Sequence, residues 1–331
     1  MCGVGFCTGV DYRCAENSSE LLIKTPVCLK TKEGGDTMAA EDPEAHEQRM
    51  EDLLMEEEEA LETAEEGERA EMESSLVNWI SDHMLLIVAL VVVIAIVKLK
   101  LKDWRQRWFA AFMNAMSRTV DVKIEIMKKE LFSSMASVRS HDEELRRAGG
   151  IKVLEIGVGT GTNFAHYPEG TRLTVIDPNP HFRQYYNENR SKFPNIHSED
   201  IILTTGEEMD MIPDNSIDVV VVTLVFCSVE NTEKILKNIL RVLAPGGKLY
   251  LYEHIKEFDT KNHSIRALLQ TLLTKSGIWP FLLDGCCLDR DMFQALESAG
   301  FSSVKMERFH ADIDHFVFQL IAPSLKGVAE K

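Results

Sequence analysis

The sequence predicts an α/β domain over residues 151–322, a mostly parallel sheet with helices on both faces and an antiparallel hairpin strand at its C-terminal end. Three observations carry this. From Ile151 onward short apolar runs alternate with helical stretches; a glycine-rich loop follows the first run; and a Pro-Gly-Gly turn separates a helix from the fifth. The runs read as strands cover 152–156, 172–176, 201–204, 217–223 and 248–253, and Asp218 marks the start of the fourth. A short helix is expected from near Asn163. Asp289 is placed to cap a later helix that reaches Ala299 and ends at Gly300. Residues 303–308 and 315–321 read as the closing hairpin, leaving 323–331 as a tail. In an open parallel sheet ligands bind outside the carboxyl ends of the strands, so function is expected there.

Ahead of this domain the chain changes character. Residues 1–75 form an acidic arm. Between Glu41 and Glu73 stand 16 acidic residues against Arg49 and Arg69, a net of −14 out of −17 for the whole chain. A segment so charged buries no core by itself and is expected to be largely disordered, although Leu53, Leu54, Met55 and Leu61 permit a transient charged helix. Residues 76–102 read as a membrane anchor. The run 84–97 has no polar side chain, Trp79, Trp104 and Trp108 flank it, and Lys98, Lys100, Lys102, Arg105 and Arg107 follow it. A buried core helix and a monotopic hairpin are the alternatives. The basic flank places the C-terminal domain in the cytosol. Residues 103–150 form an amphipathic linker that lies on the membrane or packs on the domain.

With the arm set aside, the remainder carries a net charge of only −3, which argues against the broad basic face of a nucleic-acid binder. The seven cysteines show no paired metal-binding spacing, so a structural zinc is not expected, and Cys227, Cys286 and Cys287 read as packed thiols.

The chemistry is concentrated in VLEIGVGTGTNF. Gly157, Gly159 and Gly161 allow close approach of a ligand, with Glu155 two residues before them and Asn163 just after. The GxGxxG dinucleotide fingerprint fails at Thr162. Asp177, in VIDPNP with Pro178 and Asn179, is placed to grip a ribose diol with both carboxylate oxygens, or else to start an Asx turn. Gly206 and Glu207 follow the third strand, where an adenine edge would meet them; a surface turn is the other reading. Leu224 follows the fourth strand.

From Val153 to Glu253 these motifs resemble the Rossmann-like class I S-adenosylmethionine-dependent methyltransferases. DPNPHF at 177–182, VVVVTLVFCSV at 219–229, Glu253-His254 and DGCCL at 284–288 resemble the membrane-bound thiol S-methyltransferases of the methyltransferase-like seven group, over residues 100–322. The resemblance implies S-adenosylmethionine as methyl donor, a small lipophilic alkyl thiol as acceptor, and residence at the endoplasmic reticulum membrane or lipid droplet. Val158 stands where that family usually has cysteine, and the acidic arm has no counterpart in it. The catalytic candidates are His254 as general base, or as a core or capping histidine, and Glu253 as the weaker base. An alkyl thiol is partly ionised near neutrality, so positioning carries most of the catalysis. Cys227 reads as a packed side chain, and 263–284 as an apolar lid or as core.

Overall fold

A computed structural model describes residues 43–119, 122–313 and 316–331. The four N-terminal cysteines, Cys2, Cys7, Cys14 and Cys28, lie outside the described residues. The chain divides into two units, Met1–Met84 and Leu85–Lys331. Helix α1 runs from Pro43 to Ser117. In the first unit it is exposed at every residue from Gln48 to Asp82. The described part of the acidic arm is therefore helix, where disorder was expected. Its Glu-rich, Ala- and Leu-containing composition has high helix propensity, while its charge still excludes a core.

In the second unit, α1 is the one described helix long and apolar enough to cross a membrane, and none of its apolar window is buried. Its basic end then turns from solvent to domain. Ala110 is fully buried, and Phe109 meets Phe182 edge to face. Short helices α2, Val122–Phe132, and α3, Glu143–Arg147, follow. Phe132 and Met135 enter the core, so the stretch expected as a linker packs on the domain.

The sheet contains β1 (Lys152–Ile156), β2 (Arg172–Ile176), β3 (His197–Ser198), β4 (Ile217–Thr223), β5 (Leu243–His254), β6 (Ser303–His310) and β7 (Pro323–Glu330). Their order is β3-β2-β1-β4-β5-β7-β6, with β7 antiparallel to both β5 and β6 and the other pairs parallel. Strands buried on both faces explain the continuous apolar runs. Leu154, Val220, Val222, Leu249 and Leu251 point into one core with α5 (Thr232–Val242) and α8 (Phe293–Ser298). Val153, Val219, Val221 and Tyr250 point into the other with α4, Phe182–Arg190. Helices α6 (Ser264–Lys275) and α7 (Ile278–Leu282) lie between β5 and α8 in the chain.

Several expected elements are displaced. The third strand is His197–Ser198, and Ile202 makes only a single bridge to Ile176. The helix near Asn163 is one 3-10 turn, Phe164–His166. Asp291, not Asp289, accepts a hydrogen bond from the Phe293 amide at the start of α8. Residues 316–321 form a 3-10 turn, and the supposed tail is β7, inserted between β5 and β6. Its PSLKGVAE sequence is only weakly apolar, so periodicity favoured the more apolar run before it.

Candidate active site

The glycine loop leaves β1 with Gly157, Gly159 and Gly161 at φ values of 68°, 52° and 75°, a region that favours glycine. At Gly157 a Cβ would sit 2.4 Å from Val225 Cγ2, so the loop after β4 closes directly over it. Asn189 donates from Nδ2 to Gly161 O at 2.6 Å. Asp177, 5% exposed at the end of β2, accepts from the Gly159 amide at 2.9 Å and from the Asn179 amide at 2.9 Å, one on each oxygen. The Asx geometry and the site geometry therefore coexist. Among the described residues no cation pairs with this carboxyl. Burial pushes it up to about 6 against the two amides, with Asp284 adding to the rise. A buried carboxylate with spare lone pairs beside a glycine loop fits a ribose diol.

Glu155 and Asn163 brace the loop from below. Glu155 accepts from Asn163 Nδ2 and from the Tyr167 hydroxyl, each at 2.7 Å. Burial raises it to about 7, against these two donors and Lys128. Asn163 also donates to Thr223 Oγ1 at 3.0 Å and accepts from Lys128 Nζ at 2.9 Å. Its side chain is thus engaged with three neighbours within the protein. Burial lowers the Lys128 pKa, opposed by Glu155 and Glu125. No local motif singled out Lys128.

The end of α1 covers the Asp177 side of the loop. Asn179 donates from Nδ2 to Gln106 O at 3.0 Å and to Asp284 Oδ2 at 3.4 Å, and its Oδ1 accepts from the His181 amide. Arg105 pairs with Asp284 at 3.4 Å, and Asp103 with His181 at 3.0 Å. Pro178 is exposed beside them. Gly206 and Glu207 serve α5. A Cβ on Gly206 would lie 2.4 Å from Ile235 Cδ1, and Glu207 Oε1 accepts from the amides of Glu230 and Asn231. These contacts tie both residues to α5.

At the carboxyl ends of β4 and β5 the site becomes apolar. Leu224 adopts φ 57°, a strained value for leucine, and is 39% exposed. Glu253 is fully buried and holds that turn, its Oε1 accepting from the Val225 amide at 2.5 Å and the Phe226 amide at 2.9 Å. Its Oε2 has no partner, and burial raises the carboxyl to about 7. His254 Nε2 lies 3.1 Å from Cys286 Sγ, while Nδ1 is buried without a partner. Burial lowers the His254 pKa, but Cys227 and Glu253 outweigh it and the net shift is upward.

Cys227 joins this cluster. Its hydrogen bond to Cys286, together with burial, holds its thiol well above the usual value. The donor atoms of Cys227, His254 and Cys286 lie within 4.8 Å of one another, the one such group among the described residues with metal-ligand chemistry. Cysteine spacing had not brought them together, because the three come from different parts of the chain. Trp279, Leu273, Leu283 and Leu288 pack around them.

Residues 154–251 match the methyltransferase domain family Methyltransf_11. Glycine loop, buried acid after β2 and this strand order define a class I methyltransferase that uses S-adenosylmethionine. The human thiol S-methyltransferase TMT1A is 36% identical over 68% of this chain and 87% of its own length. The human thiol S-methyltransferase TMT1B is 37% identical over 61% of this chain and 78% of its own length. The Caenorhabditis elegans sterol 4-C-methyltransferase strm-1 is 29% identical over 41% of this chain and 42% of its own. The chain belongs to the family of the thiol S-methyltransferases.

Proposed function

We propose that this enzyme methylates the sulfur of small lipophilic thiols at a membrane surface. The observation that carries the reading is the buried, apolar cluster of Cys227, His254, Trp279, Cys286 and Leu288 at the ends of β4 and β5, in a chain that matches most of the length of TMT1A. An apolar, water-poor acceptor end suits an alkyl thiol and excludes competing water. S-adenosylmethionine supplies an electrophilic methyl group. Asp177 holds the ribose, Gly157, Gly159 and Gly161 admit the donor, and Leu224 lies against it; Glu155, Asn163 and Asn179 keep that frame in place. His254 takes the thiol proton on Nδ1, its unpartnered nitrogen, while Glu253 holds the turn that closes on Gly157.

The test is methyl transfer from labelled S-adenosylmethionine by the detergent-solubilised full chain to a panel of alkyl thiols, phenols, amines and sterols, with Asp177→Ala as control. Thiol-selective product lost in the control supports the reading. Transfer to carbon of a sterol would keep the enzyme and replace its acceptor, and donor binding without any product would leave a membrane scaffold. The proposed location is the endoplasmic reticulum membrane or lipid droplet, with the catalytic domain in the cytosol. Asn17, Asn189 and Asn262 each begin an Asn-X-Ser triplet; glycosylation confined to Asn17 supports that orientation, and use of Asn189 or Asn262 overturns it.

A further inference from the structure

Helix α6 has two dissimilar faces. On one, fully buried Gln270 donates to Ile255 O and Leu320 O and accepts from the Glu257 amide, and Leu273 packs on the Cys227 cluster. On the other, Ile265, Leu268 and Leu272 follow one another at helical spacing and are 73%, 58% and 54% exposed. Helix α7 extends this surface with Ile278, Phe281 and Leu282. A contiguous apolar surface of this kind marks an interaction site. Between Lys261 and Leu283 there is no acidic residue, in a chain that has 53 of them, and exposed Lys261 and Lys275 bracket the face, while Arg266 turns inward onto buried Glu257 at 2.8 Å. The surface therefore suits an anionic partner.

Its place in the fold says which partner. Arg105 pairs with Asp284 at 3.4 Å and stands 5.8 Å from the centre of the Phe281 ring. Along α1, Arg105 is four residues past Leu101 and eight past Val97, about 6 and 12 Å at the helical rise. The headgroup layer on each side of a bilayer is about 5–8 Å deep. With Leu101 as the last residue in the hydrocarbon, Arg105 and the Phe281 ring beside it fall within the headgroup layer of whichever membrane takes up α1, at the level of the exposed Trp104 and Trp108.

We infer that the α6–α7 face docks on the phospholipid surface into which the apolar part of α1 inserts, so that the wall of the Cys227 cluster faces lipid. This rests on the membrane reading of α1.

The experiment uses the full chain reconstituted in phosphatidylcholine vesicles containing one-third phosphatidylserine, with a benzophenone amino acid at Leu268, at Phe281, or at the exposed Lys237 of α5. After illumination, phospholipid adducts are expected by mass at 268 and 281 and none at 237. A chain that resists an alkaline carbonate wash yet gives no lipid adduct at 268, or gives a cross-linked second chain there, overturns the docking and leaves the anchor standing. A chain that washes off the vesicles overturns both. Neither result depends on methyl transfer, which is assayed on the same preparations.

Discussion

Replacing Asp177 by asparagine should move donor affinity and stability in opposite directions. The carboxyl rises from 3.8 to about 6 because it is buried with no cation beside it. An acid whose pKa is higher in the folded state binds its proton more tightly there, so stability falls as pH rises from about 4 to about 6, and the cost is complete above that. Two pH units amount to about 3 kcal/mol. Asparagine cannot ionise and escapes this cost, but it offers one acceptor oxygen where the Gly159 and Asn179 amides now use two, which returns about 1 kcal/mol. The donor-free variant should be more stable at pH 7.5 by about 2 kcal/mol, or roughly 4–8 °C in thermal unfolding.

Donor binding goes the other way. Exchanging a bidentate carboxylate for one neutral acceptor should cost about 3 kcal/mol, near 100-fold in Kd. Calorimetric titration of the solubilised chain with S-adenosylmethionine, paired with donor-free melting curves, measures both. Wild-type affinity should also weaken below pH 6, approaching about tenfold per pH unit, while that of the variant stays flat. A variant that melts higher yet binds the donor within threefold of wild type would refute the ribose assignment. One that melts lower would refute the account of the buried charge.

Other substitutions separate bracing from chemistry. Glu253→Gln keeps an acceptor for the Val225 and Phe226 amides and removes a carboxyl raised to about 7, so the stability lost by the wild type between about pH 4.5 and 7 should be retained. Urea unfolding at pH 8 should show a gain of up to about 3 kcal/mol with methyl transfer largely kept; activity abolished in a folded variant would make Glu253 a direct participant. Gly206→Ala drives a Cβ to 2.4 Å from Ile235 Cδ1 and should cost about 1–3 kcal/mol in denaturant unfolding, with the donor Kd of the folded fraction little changed. Gly327→Ala places a Cβ 2.1 Å from the Lys305 carbonyl in the β6–β7 ladder, and the variant should express largely as insoluble protein; a soluble variant with wild-type melting would contradict the insertion of β7.

What the sequence determined by itself is local. The apolar runs that became β1, β2, β4 and β5 announced a parallel sheet, while the run at 201–204 gave only a bridge; β1, β2 and β4 were legible to the residue because continuous Val, Leu and Ile runs leave little choice of boundary. Three glycines, all now at positive φ, and an acid at the next strand end mark the proposed donor side, since both signals lie in residues adjacent in the chain. A strand such as β7, with lysine and glycine in its middle, has no such pattern; its place comes from the two ladders that flank it. Only the tertiary structure decided that Asn163 and Glu207 face protein neighbours, and that Gln106 and Arg105 reach across to Asn179 and Asp284. Only folding joined Cys227, His254 and Cys286, whose spacing along the chain carries no message. A carboxylate or thiol takes its character from what desolvates it, and those neighbours are supplied by parts of the chain far away in sequence.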